Sequence, residues 1–132
     1  AGKRHGAGEE VFSDGKSRSY RGMFADDNYH GHGKYTWMDG REYIGFFEKG
    51  QKHGVGLFSW ADGRIFVGQW AEGKQHGEGI FYPGVMGHPR KGRWERGARQ
   101  EWKKMQTQAV YEEYETLRKQ AQADYDWSGE PQ

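Results

Sequence analysis

The sequence predicts an all-β repeat fold: stacked antiparallel β-hairpins forming one elongated, curved sheet, followed by one long C-terminal α-helix. Three observations carry this reading. Features recur every 23 residues: Tyr20, Tyr43 and Phe66; Gly22, Gly45 and Gly68, with Gly92 one residue late; and the pairs His30-Gly31, His53-Gly54 and His76-Gly77. A fixed period in this range marks a stacked-repeat architecture. Composition points the same way, since 22 of the 132 residues are glycine, 16% are aromatic and only 33% are hydrophobic. That suits a thin sheet whose rings stack in rows rather than a thick globular core. Finally, glycine vanishes between Gly97 and Gly129, where Gln, Ala, Glu, Lys and Arg, all good helix formers, take over.

The first element is half a repeat. Gly2-Lys3-Arg4-His5-Gly6-Ala7-Gly8 aligns with Gly73-Lys74-Gln75-His76-Gly77-Glu78-Gly79, so residues 2–15 supply the second half of a unit. The chain therefore begins mid-repeat, with no initiating Met, and is expected to be a fragment, a processed chain or the ordered part of something longer. Glu10 interrupts a column of rings, which predicts a weak or solvated N-terminal edge.

Full repeats start at Tyr20, Tyr43 and Phe66. In the third, Phe66-Val67-Gly68-Gln69-Trp70 alternates and places Phe66, Gly68 and Trp70 on one face of a strand. Ala71 to Gly77 reads as a polar connection, and Glu78 to Tyr82 as the returning strand. Asp39-Gly40 and Asp62-Gly63, with Asp14-Gly15 before them, predict tight primed hairpin turns, because Gly takes positive φ without penalty. Stacking then aligns four ring columns: Tyr20, Tyr43 and Phe66; Phe24, Phe47, Trp70 and Trp94; Tyr35, Phe58 and Phe81; and Phe12, Trp37 and Trp60. Gly33, Gly56 and Gly79 leave room beside the rings, and glycine in a strand marks close approach or a bend. Such bends would curl the sheet into an open trough. Pro83 to Pro89 lengthens the last connection, where stacking is expected to end, with a degenerate repeat at Lys91 to Gly97.

These residues resemble the MORN repeat (membrane occupation and recognition nexus). The resemblance rests on Tyr43-Ile44-Gly45-Phe46-Phe47 with Gly50-Gln51-Lys52-His53-Gly54-Val55-Gly56, and on Phe66-Val67-Gly68-Gln69-Trp70 with Gly73 to Gly79. It covers residues 2–97 and is specific, because several spaced features recur together. Asp27 departs from the pattern where the other repeats have Gly50 and Gly73. Proteins similar to it act as scaffolds or assembly subunits at cytoskeletal, flagellar and membrane-associated structures, which implies an intracellular setting. Some are reported to bind phosphoinositides, and similar repeats precede lipid-kinase and methyltransferase domains.

The last element, residues 98–132, reads as the helix and a tail expected to fray from Ser128. The helix is placed from about Arg99, with Val110 or Tyr111, Tyr114, Leu117, Ala121 and Tyr125 in one apolar stripe. Glu115 and Lys119 sit at favourable i, i+4 spacing. The helix is expected to fold back, capping the sheet's last edge or lying across the trough; the alternative is docking in a partner.

The bulk numbers exclude several functions. Lys and Arg total 20 against 19 Asp and Glu, so no nucleic-acid partner is demanded. No stretch approaches the roughly 20 apolar residues of a membrane span. Cysteine is absent, which removes disulfides and thiolate chemistry. His5, His30, His53 and His76 repeat, yet equivalent residues two strands apart sit about 10 Å from one another and cannot share a zinc ion. They read as loop histidines bonded to backbone. No Gly-x-Ser-x-Gly or His-Glu-x-x-His motif is present, and Asp14, Asp39 and Asp62 read as turn residues. No catalytic site, cofactor or metal is expected.

Two binding surfaces remain. The first is the trough of Tyr20, Phe24, Trp37, Tyr43, Phe47, Trp60, Phe66 and Trp70. It is read as a groove for a helix or extended segment of a protein partner, since rings bury large area at little rotamer cost. The open ends of such a stack also permit self-association. The second surface is basic: Arg90, Lys91, Arg93, Arg96, Arg99, Lys103 and Lys104, interleaved with Trp94 and Trp102 and faced only by Glu95 and Glu101. It would suit anionic headgroups or an acidic protein, each charge adding about 1 kcal/mol near an anionic membrane. The favoured reading is a non-catalytic scaffold or assembly module; the alternatives are a peripheral phosphoinositide-binding module and an accessory region of a larger enzyme.

Overall fold

Nine strands follow one another through the sheet in chain order, each antiparallel to the next. They are β1 (Gly6–Val11), β2 (Ser19–Ala25), β3 (Asn28–Thr36), β4 (Glu42–Glu48), β5 (Gln51–Ser59), β6 (Ile65–Ala71), β7 (Lys74–Tyr82), β8 (Arg90–Glu95) and β9 (Ala98–Trp102). One helix follows, α1 (Thr107–Gln122). The computed structural model describes residues 2–12, 18–85 and 87–122. The Asp14-Gly15 turn, Tyr125 and the tail from Ser128 to Gln132 lie outside the described residues.

Register turns the sequence period into rows that run across the strands. Glycine forms the central row, in which Gly8, Gly22, Gly33, Gly45, Gly56, Gly68, Gly79 and Gly92 each face the next. Two residues along, Tyr20, Tyr35, Tyr43, Phe58, Phe66 and Phe81 make an unbroken aromatic row. Residues two apart share a face, so the rings lie above the glycines of the neighbouring strand. A Cβ on Gly33, Gly56 or Gly79 would come within 2.5 Å of a ring carbon of Tyr20, Tyr43 or Phe66. Tyr20, Tyr43 and Phe66 are fully buried. The Tyr20 and Tyr43 hydroxyls donate to the carbonyls of Met23 and Phe46, at 2.7 and 2.9 Å.

The opposite face is aliphatic. Ile44, Leu57, Val67 and Ile80 oppose one another across β4 to β7, and α1 covers them with Val110, Tyr114, Leu117 and Ala121. The helical stripe is the expected one. Its placement is not: α1 packs on the face away from the rings, neither across them nor on the last edge. The reason is chemical complementarity, since the branched aliphatic row accepts Val110 and Leu117, while the rings already bury one another. Glu115 pairs with Arg118 at 2.7 Å rather than with Lys119.

Two further expectations are corrected. Stacking does not end at Pro83 to Pro89, because β8 pairs with β7 in register, Gly79 against Gly92. The helix does not begin near Arg99, because residues 98–102 form β9 and close a hairpin around Arg96-Gly97. Trp102 packs edge-on against Trp94, centroids 6.0 Å apart, and that burial overrides the helix propensity of the segment.

The turns are also exchanged. Positive φ at both central residues, the mark of a primed turn, occurs at Asp26-Asp27, Lys49-Gly50, Glu72-Gly73 and Arg96-Gly97. At Asp62-Gly63 only Gly63 has positive φ, 97°. There the Gly63 N–H bonds the Trp60 carbonyl and the Trp60 N–H bonds the Arg64 carbonyl, a three-residue loop with a glycine bulge. Ala71 to Gly77 is thus a strand end, a two-residue turn and the start of β7, which puts His30, His53 and His76 in strands rather than loops.

Candidate functional site

The aromatic face is layered. Of the eight residues predicted to form the groove, Tyr20, Phe24, Tyr43, Phe47, Phe66 and Trp70 are buried by their neighbours and form its floor. Their rings meet edge to face, as at Tyr43–Trp70 (5.4 Å, 88°) and Phe66–Trp94 (4.7 Å, 77°), the favourable arrangement for ring quadrupoles. Trp70 Nε1–H donates to the Gly56 carbonyl at 3.1 Å, which fixes that indole. Trp37 and Trp60 are half-buried and rise at the rim. Each carries an arginine over its face, Arg41 at 4.9 Å and Arg64 at 5.0 Å. Asp39 and Asp62 hold those arginines by backbone and side chain, and these hydrogen bonds keep both carboxyls below the usual carboxylate range.

Half-buried Tyr29, Tyr35, Phe81 and Trp102 complete the face. Between Trp37 and the Lys49-Gly50 turn it opens into a cleft of about 210 Å³ lined by Tyr29, Tyr35, Trp37, Tyr43, Phe47 and Lys52. The Lys52 ammonium lies over the Tyr43 and Trp70 rings, at 5.8 and 5.5 Å. Burial, with Arg41 adding, lowers its pKa. Tyr29 and Lys52 occupy one repeat position, 23 residues apart, which sequence reasoning passed over because that position carries a different residue type in each repeat.

The N-terminal edge is braced rather than left weak. Glu10 accepts hydrogen bonds from the Tyr29 hydroxyl and from Arg4, each at 2.7 Å. Arg4 also pairs with Asp27 and lies over the Phe24 ring at 4.4 Å. Burial, with the bond to Glu10, pushes the Tyr29 phenol well up.

The basic segment does not gather into one patch. Lys91 bonds Glu113 at 2.7 Å and approaches Glu78 at 3.4 Å; Lys103 reaches Glu78 at 3.1 Å; Arg93 pairs with Glu101. Arg90 and Arg99 both sit over Trp102, at 4.2 and 4.5 Å. Arg96 is in a turn, its N–H directed at His76 Nδ1 at 3.4 Å. Lys104 is exposed in the connection to α1.

The repeat model decides the family. MORN-repeat matches fall at residues 1–17, 20–40, 43–63 and 66–83, together more than half of the chain. The chain is a MORN-repeat protein. A search of curated proteins finds no match. MORN repeats are modules of protein and membrane interaction and are typically non-catalytic. The match ends at Tyr82-Pro83, yet the hairpin β8–β9 continues the glycine row and adds Trp94 and Trp102 to the MORN face. Among the described residues no group of three His, Asp or Glu is placed to hold a metal ion. His5 Nδ1 faces the Asp26 N–H at 3.4 Å, while His53 Nε2 lies 3.2 Å from Glu48.

Proposed function

We propose that this MORN stack is a non-catalytic scaffold or assembly module whose aromatic face receives a helix or extended segment of a protein partner. One observation carries the reading: the helix covers the aliphatic face, and among the described residues no segment lies over the aromatic face along the stack. The rim residues Trp37 and Trp60 are wide, rigid and half-buried, the properties of interface anchors. The buried rings below hold them in place. The pairing of Lys91, Arg93 and Lys103 with carboxylates favours a protein partner over an anionic membrane, because those charges are already neutralised within the chain.

Affinity capture from native extract tests this reading, comparing the wild-type chain with a Trp37→Ala/Trp60→Ala variant. Both changes lie at the rim, so the variant keeps the wild-type circular dichroism. The expected result is a stoichiometric partner bound by the wild type and lost from the variant. A folded variant that retains every partner would show that docking occurs elsewhere.

A further inference from the structure

The aromatic face carries cations that have no carboxylate partner among the described residues. Arg4, Arg41 and Arg64 have their own carboxylates, in Asp27, Asp39 and Asp62. Lys52, Arg90 and Arg99 have none among the described residues, and each is held over ring faces instead. Lys52 is the informative one. It is half-buried in the wall of the 210 Å³ cleft, beside Trp37 and Tyr43. An ammonium over two rings gains cation–π attraction, but among the described residues no carboxylate lines the cleft beside it. An opposite charge arriving there meets a partly desolvated partner, where attraction is stronger than in bulk water.

We propose that the docked segment carries a side-chain carboxylate, Asp or Glu beside an apolar anchor, which closes on the Lys52 ammonium while the anchor fills the cleft against Trp37. This rests on the aromatic face being the docking surface. It adds a rule of recognition: an acidic residue next to an apolar one, with further acidic residues favoured toward Arg90 and Arg99. A basic or uncharged segment would leave Lys52 buried beneath it without a partner, so the cleft selects against such segments.

A random 16-residue peptide display library, panned on the folded chain, supplies the probe. The expected result is an enriched pool in which Asp or Glu neighbours Phe, Leu, Ile or Trp. Synthetic members should bind Lys52→Met more weakly by at least about tenfold in fluorescence anisotropy. Lys52→Arg should retain most of the affinity, and Lys52→Glu should select basic peptides from the same library. Enriched peptides without acidic bias, bound equally by Lys52→Met but lost with Trp37→Ala, would overturn the carboxylate rule and leave the docking surface standing. No enrichment at all, or peptides indifferent to Trp37→Ala, would overturn both.

Discussion

The Tyr43 ring lies across Gly56 of the adjacent strand, so closely that a Cβ there would stand 2.5 Å from the ring carbon Cε2. The same relation joins Tyr20 to Gly33 and Phe66 to Gly79. It explains why one 23-residue period carries both an aromatic and a glycine. The ring needs a bare backbone to lie on, and the bare backbone needs the ring to exclude water.

Gly56→Ala should therefore destabilise the sheet by about 1–3 kcal/mol, the usual cost of forcing a methyl into a packed site. The cause is steric, since Gly56 does not have positive φ. Urea unfolding followed by Trp fluorescence reads the change. Gly63→Ala should also destabilise, through its positive φ of 97°, although open space surrounds its Cβ position.

Phe66 occupies the same site without a hydroxyl. Tyr43→Phe should then cost only about 1 kcal/mol, the net worth of its bond to the Phe46 carbonyl. Phe66→Ala should cost about 3–5 kcal/mol through the cavity it leaves. Equal losses in the two variants would show that the hydroxyl, and not ring packing, secures the row.

The primed turns contain a correctable strain. Glu72 sits at φ 51° in the Glu72-Gly73 turn, where Asn is favoured. Glu72→Asn should raise stability by about 0.4–1 kcal/mol in thermal or urea unfolding.

Stability should depend on pH through two linked sets: Glu78 with Lys103 and Lys91 beside β7 and β8, and Lys91 with Glu113, the pair that joins α1 to the sheet. Lys103, burial-opposed and helped by Lys91, holds the Glu78 carboxyl below its ordinary value. Its contribution is complete above the unfolded carboxylate range and fades as pH falls through the lower folded value. The Glu113 bond raises the Lys91 pKa, so that contribution is complete below the unfolded lysine range and fades as pH rises through the higher folded value. Stability should thus be highest between about pH 5 and 10, with the alkaline limb reporting the contact of α1 with the sheet. Because Glu78 is half exposed, the effect is at most about 1 kcal/mol. Chemical unfolding at a series of pH values checks it: Lys91→Met should flatten the alkaline limb and Lys103→Met the acid one.

The ring columns, the glycine spacing and the helical stripe were legible in the sequence because each follows from a period: 23 for the stack, 3.6 for α1. The turns were not, since Asp62-Gly63 fits both a primed turn and a glycine-bulged loop by composition alone. The strand at Ala98 to Trp102 was hidden by its helix-forming residues, although Arg96-Gly97 aligns with Glu72-Gly73 and pointed to one more hairpin. The aliphatic row Ile44, Leu57, Val67 and Ile80 emerged only from the strand register, and its role as the seat of α1 depends on tertiary packing, which no local pattern encodes. Lys52 was not legible because its repeat position varies in residue type, and because its place over two rings without a carboxylate among the described residues is a matter of geometry.

The uncovered aromatic face is tested most directly by site-specific photocrosslinking in native extract. A photoreactive amino acid at position 60, on the ring side, is compared with one at position 46, on the opposite face beside His32. Adducts to one discrete protein from position 60, and none from position 46, are the predicted result. Adducts from position 46 with silence at position 60 would contradict the account.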